Sequence, residues 1–113
     1  MVFRSKPDEE EMQRIHSEAE TLIKNIDREF EKLNLDYTNT KNFSNVLKNK
    51  DITTKVKAYR MILGYHKILS NIIYYYRPHL ENKNNTKGKD IMDAFYKITI
   101  AMDTLEIDNK KYF

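Results

Sequence analysis

Apolar residues recur at steps of three and four through the first third of the chain: Met12, Ile15, Ala19, Leu22, Ile26, Phe30 and Leu33, in a segment otherwise full of charge. In an α-helix this spacing gathers the apolar side chains on one stripe, which must be buried against another element. The pattern returns as Ile52, Val56, Tyr59, Ile62, Leu63, His66, Leu69, Ile73 and Tyr76, and again as Ile91, Phe95, Ile98, Met102 and Leu105 with Met92, Ala94 and Ala101 beside it. These runs predict long helices over about residues 6–33, 51–77 and 90–107. A short helix over about 41–49 offers Phe43, Val46 and Leu47 as a lid on one end. The expected fold is all-α: an antiparallel, up-and-down bundle of three long amphipathic helices plus the short one, in a single domain over residues 1–113.

Boundary signals refine this layout. Ser5 stands where a helix cap belongs, Pro7 suits a first turn, and Asp8, Glu9, Glu10 and Glu11 complement the positive end of the helix dipole. Residues 34–40 are rich in Asn, Asp and Thr and predict a connection. Asp51 is the cap expected for the third helix, and Pro78 predicts its end at Arg77. Residues 81–89, Glu-Asn-Lys-Asn-Asn-Thr-Lys-Gly-Lys, read as an exposed basic loop. The tail from Asp108 frays, or docks through Tyr112 and Phe113.

Composition narrows the class. With only 2 Gly and 2 Pro the chain lacks the regular turns of a β-sandwich or barrel. The absence of Cys excludes a disulfide framework and Cys-ligated zinc or iron–sulfur centres. No signal-peptide or membrane-spanning run is present, so a soluble, intracellular and most simply cytoplasmic protein is expected. The net charge of +3 conceals an uneven layout, since residues 5–33 sum to −4 and residues 34–89 to +8. An acidic first helix beside a basic third helix accounts for this without an external partner.

Candidate chemistry is sparse. His16, His66 and His79 are the only histidines, and no Glu-x-x-His pair of the di-iron bundle type occurs, since Gln13 stands three residues before His16. No phosphate loop, Ser-His-Asp order or activated nucleophile can be assembled, so no enzyme activity, cofactor, metal or small-molecule substrate is expected.

The third helix carries more apolar groups than one stripe requires. Ile68, Leu69, Ile72, Ile73, Tyr74, Tyr75 and Tyr76 cover most of its circumference. Such a helix must be central in its fold or bury its surplus against another chain. Gly64, costing about 1 kcal/mol in a helix interior, implies a close backbone approach there. These residues predict a non-enzymatic protein-interaction module, a subunit, adaptor or inhibitor, that binds a protein partner or itself through Gly64, Ile68, Ile72, Tyr74, Tyr75, Tyr112 and Phe113. The alternative is a nucleic-acid-binding regulator or packaging component. It would use a basic track of Lys57, Arg60, Lys67, Arg77, Lys83, Lys87 and Lys89 with tyrosines near it to stack bases.

Arg60 and His66, with five residues between them, resemble the Arg-x-His signature of the HEPN ribonucleases, which are also small helical bundles. The resemblance implies an RNase site at these two residues. Met61 departs from the polar residue usual after that arginine, and six steps along one helix turn the two side chains about 240° apart. A dimer would be needed to bring them together. The layout as a whole is also similar to the bacteriocin-immunity proteins, small basic four-helix bundles, with no motif in common.

Overall fold

The computed structural model describes residues 7–110, and the chain in it is an all-α bundle of four helices: α1 (Glu9–Lys32), α2 (Thr40–Lys48), α3 (Ile52–Leu80) and α4 (Thr86–Asn109). Each helix begins on an Asx cap. Asp8 accepts from the Glu11 N–H at 2.7 Å, Asn39 from Asn42 at 3.3 Å, Asp51 from Thr54 at 2.7 Å and Asn85 from Gly88 at 2.8 Å. Each carboxylate or amide oxygen thus satisfies a backbone donor that has no partner inside its helix. Asp8, read above as part of the acidic first turn, is itself the cap of α1; Ser5 lies outside the described residues.

α1 closes on Asn34, the one non-glycine residue of positive φ (55°) among the described residues. The Asn34 N–H reaches the Glu31 carbonyl and the Leu35 N–H the Phe30 carbonyl, each at 3.0 Å. This is a Schellman closure, with Leu35 buried beneath it. Tyr37 then packs on Phe30 with centroids 5.0 Å apart and donates its hydroxyl to Asp27, which turns the chain into α2. α2 seats Phe43 edge-on to Phe30 and places Leu47 against α4, so it closes the end of the bundle where α3 begins and α4 ends.

α3 and α4 form the most extensive pairing, and α1 packs on both. They run antiparallel, since Lys55 near the start of α3 meets Asp108 near the end of α4. α1 is antiparallel to α3, because His16 in its first half reaches Asn85 in the α3–α4 turn. The core runs through Ile15, Ala19, Ile26 and Phe30 of α1, Ile62, Leu69, Ile73 and Leu80 of α3, and Ile91, Ile98, Ala101 and Leu105 of α4.

α1 starts at Glu9 and not near residue 6, and three further boundaries differ from those read in the sequence. α3 continues past Pro78 to Leu80, because proline in a last turn removes a single helical donor while the Glu81 N–H still reaches the Arg77 carbonyl at 2.9 Å. Leu80, fully buried, anchors that extra turn. α4 starts at Thr86, so the expected loop over 81–89 shrinks to five residues and Lys87 and Lys89 become helical. α4 also extends to Asn109, beyond the expected end at 107. Asn109 donates to the Leu105 carbonyl at 2.8 Å and the Lys55 carbonyl at 3.4 Å, fastening the last turn to α3.

Candidate interaction surfaces

α3 has a buried face set by Lys55, Ala58, Ile62, Leu69, Ile73, Tyr76 and Leu80. The sequence stripe leaves this line at its start and again mid-helix, since Ile52 and Leu63 are 55% and 41% exposed. Lys55 takes the core position instead, because its ammonium finds Asp108 at 3.5 Å. A charge paired in this way can occupy a core-facing site that an unpaired one cannot.

At about 100° per residue, the three consecutive tyrosines point three ways. Tyr76 enters the core, with the Tyr75 ring edge-on to it at 5.3 Å. Tyr75 lies on the solvent side, 52% exposed, in line with Ile68, also 52%, and Gly64. Ile72 flanks this line but is partly buried against the core, so only its edge is available. Tyr74, 86% exposed, stands about 120° round from Ile68 and belongs to another side of the helix. The sequence-predicted partner set is therefore divided: Gly64, Ile68 and Tyr75 share one surface, and Tyr74 joins Leu63 on a second. Tyr112 and Phe113 lie outside the described residues.

Gly64 has open space where a Cβ would stand, with nothing within 4 Å, so among the described residues no other helix approaches it. The close approach occurs at Gly88. A Cβ there would fall 2.3 Å from the Leu80 carbonyl oxygen, so glycine is what allows the first turn of α4 to pass against the end of α3.

The basic track is divided as well. Lys57, Arg60 and Lys67 share the solvent side of α3, a helix with no acidic residue from Ile52 to Leu80. Arg77 does not join them, because its guanidinium is held by Glu81 and by the Tyr96 hydroxyl at 3.0 Å. Lys87 lines a groove between α1 and α4 that also holds Glu20, Asp27 and Asp90. Lys83 and Lys89 sit near the turn with Glu81 and Asp93. Acidic neighbours thus offset the positive charge at that end of the bundle.

The histidines are in structural positions. Asn85 donates to His16 Nε2 at 2.9 Å and to the His79 carbonyl at 3.1 Å while its oxygen caps α4. His16 must be neutral at that nitrogen to accept, and burial, then the charge of Lys87, holds its pKa below the ordinary value. His66 stacks on Phe95 with centroids 5.0 Å apart and meets the Thr99 hydroxyl at 3.0 Å. That hydroxyl donates to the Phe95 carbonyl, so His66 is the donor, and burial lowers its pKa. His79 lies in the last turn of α3, one residue past Pro78, and is partly buried. Arg60 points to solvent beside Glu106 while His66 sits in the α3–α4 seam, so the two residues of the HEPN-like spacing do not converge within this chain.

The sequence reading missed the outer side of α4, where Tyr96, Ile100 and Ile107 are 47%, 50% and 66% exposed. Their spacing of four and seven was the signal, masked by the stronger stripe of Ile91, Ile98 and Leu105. Among the described residues no helix is long and apolar enough to cross a membrane, and no group of three or more His, Asp and Glu side chains is gathered as for a metal ion. No protein-family model, curated protein or solved structure matches this chain.

Proposed function

We propose that this chain is a non-enzymatic protein-binding module that docks a partner helix along the solvent side of α3. The observation that carries the reading is a continuous line of Gly64, Ile68 and Tyr75 on the longest helix, with the isoleucine and the tyrosine each 52% exposed. A glycine with an open outer side lets a partner backbone come close, and an isoleucine and an aromatic ring beside it supply apolar area. Lys57, Arg60 and Lys67 border the line and favour a partner with acidic flanks.

The test is photo-crosslinking in an extract of the source cells, with the probe residue at Ile68 or Tyr75 and a control probe at Thr21 on exposed α1. One protein captured from both α3 positions, missing from the control and lost on Ile68→Asp elsewhere in a Tyr75-probe chain, supports the reading. Capture indistinguishable from the control overturns it. Nucleic acid is a second reading, supported by the acid-free α3 with its three aligned cations. It requires binding that falls steeply with salt and disappears on Lys57→Glu with Lys67→Glu.

A further inference from the structure

Among the described residues, two sides of this bundle are covered by other elements of the chain and one broad side is not. α1 lies along one face of the α3–α4 pair, and α2 rests on the far end of α4. On the face away from α1, the seam between α3 and α4 is open. The Arg77–Tyr96 bond and the His66–Thr99 bond lie along it, and a groove of about 360 Å³ lined by Tyr59, Arg60, Leu63, Glu106, Asn109 and Lys110 ends it.

The residues flanking this seam follow helical lines. On α3 they are Arg60, Leu63, Lys67 and Tyr74, at steps of three, four and seven; on α4 they are Tyr96, Ile100, Asp103 and Glu106. Leu63, Tyr74, Tyr96 and Ile100 are 41%, 86%, 47% and 50% exposed. The face is therefore apolar along both helices and positive on the α3 side, while the α4 side carries the two carboxylates of Asp103 and Glu106 with Lys110 one turn beyond them.

We infer that this face pairs with the same face of a second copy of the chain, about a two-fold axis parallel to the helices. An isologous contact admits two arrangements here. An axis across the helices lays α3 on the partner copy's α3, which sets Arg60 and Lys67 against their own counterparts. An axis along the helices lays α3 on the partner copy's α4. Lys55–Asp108 and His66–Thr99 fix the stagger of the two helices, so Arg60 then stands level with the Asp103–Glu106 turn and Lys67 level with Thr99, one turn from Asp103. Opposite charges meet in this arrangement only, while Tyr74, Leu63 and Ile100 supply the buried apolar area. Charge chooses the orientation and apolar burial holds it. Its apolar residues are distinct from the Gly64–Ile68–Tyr75 line while Arg60 and Lys67 border both, so Asp103→Lys with Glu106→Lys reads the dimer alone and Ile68→Asp reads the partner helix alone.

Sedimentation equilibrium of the full chain across a concentration series tests this. The expected species is a dimer of the 13.6 kDa chain. Arg60→Glu with Lys67→Glu, or Asp103→Lys with Glu106→Lys, weakens the dimer by about tenfold or more, and the four changes together restore it because the signs are exchanged, not lost. All four side chains are exposed, and circular dichroism confirms that each variant remains helical. Orientation is read separately, exploiting the absence of native cysteine. Chains carrying Lys67→Cys mixed with chains carrying Ile100→Cys, at an exposed position of the same turn of α4, form a mixed disulfide faster than Lys67→Cys chains pair with themselves. A monomer at every concentration, a dimer indifferent to both charge reversals, or faster self-pairing of Lys67→Cys overturns the proposal. Loss of the dimer on Ile68→Asp with no effect of the charge reversals also overturns it, assigning association to the other side of α3.

Discussion

The two glycines of this chain are chemically identical and have opposite reasons for being where they are. Gly88 is required by contact, since a methyl group there would collide with the backbone carbonyl of Leu80 and nothing flexible stands in between to yield. Gly64 meets nothing within 4 Å and retains only the entropic cost of glycine in a helix. Gly64→Ala is therefore expected to raise stability by about 1 kcal/mol in denaturant unfolding, whereas Gly88→Ala lowers it and shifts the midpoint the other way. A Gly64→Ala protein less stable than the parent would show that the residue serves the fold of the isolated chain. Lys55 teaches a related lesson. A lysine 7% exposed on a core face is tolerable because Asp108 lies 3.5 Å from its ammonium on a partner helix, far away in sequence.

The elements are held to one another at their ends as much as along their stripes. Asn85 alone caps α4, binds the last turn of α3 through the His79 carbonyl and reaches α1 through His16. That last bond needs an unprotonated His16 Nε2, which ties the joint to pH. Burial lowers the pKa of both His16 and His66 in the fold; near His16, Lys87 adds to the shift and Glu20 opposes it, and near His66, Asp103 opposes it. A folded-state pKa below the unfolded value of 6.5 means that the unfolded chain binds protons first as pH falls. Stability is thus complete above about pH 6.5 and declines through mildly acid solution. Thermal melts from neutral to mildly acid pH should show this fall, and His16→Gln, whose amide oxygen accepts from Asn85 without titrating, should flatten it. An unchanged slope in that variant would remove His16 from the linkage.

At the scale of the whole molecule, the packing is unequal. α3 and α4 share the longest buried seam, α1 lies across both, and α2 is nine residues resting on α4 through Leu47 and on Phe30 through Phe43. Local opening costs least where buried contacts are fewest. Native-state hydrogen exchange should therefore protect the centres of α3 and α4 most strongly and α2 least; equal protection of all four helices would mean that the lid opens only when the bundle does. Among the described residues, no helix lies over Ile68 or over the outer side of the α3–α4 seam, so apolar side chains at Ile68, Leu63 and Ile100 are 52%, 41% and 50% exposed.

What the sequence determined by itself follows from local physics. Apolar spacing at three and four residues required long helices, the scarcity of glycine and proline kept them long, and Asp51 announced a start. The surplus of apolar groups on the third helix was legible in the same way. What only the tertiary structure decided is what depends on distant neighbours: that Lys55 is a core residue, that Pro78 lies inside a helix anchored by Leu80, and that Gly88 and not Gly64 marks the close approach. The division of Tyr74 from Ile68 and Tyr75 was implicit in the helical angle, but which of those sides would stay uncovered was not. Periodicity gives the angle between residues on one helix, and only the placement of the other helices says which angles face water.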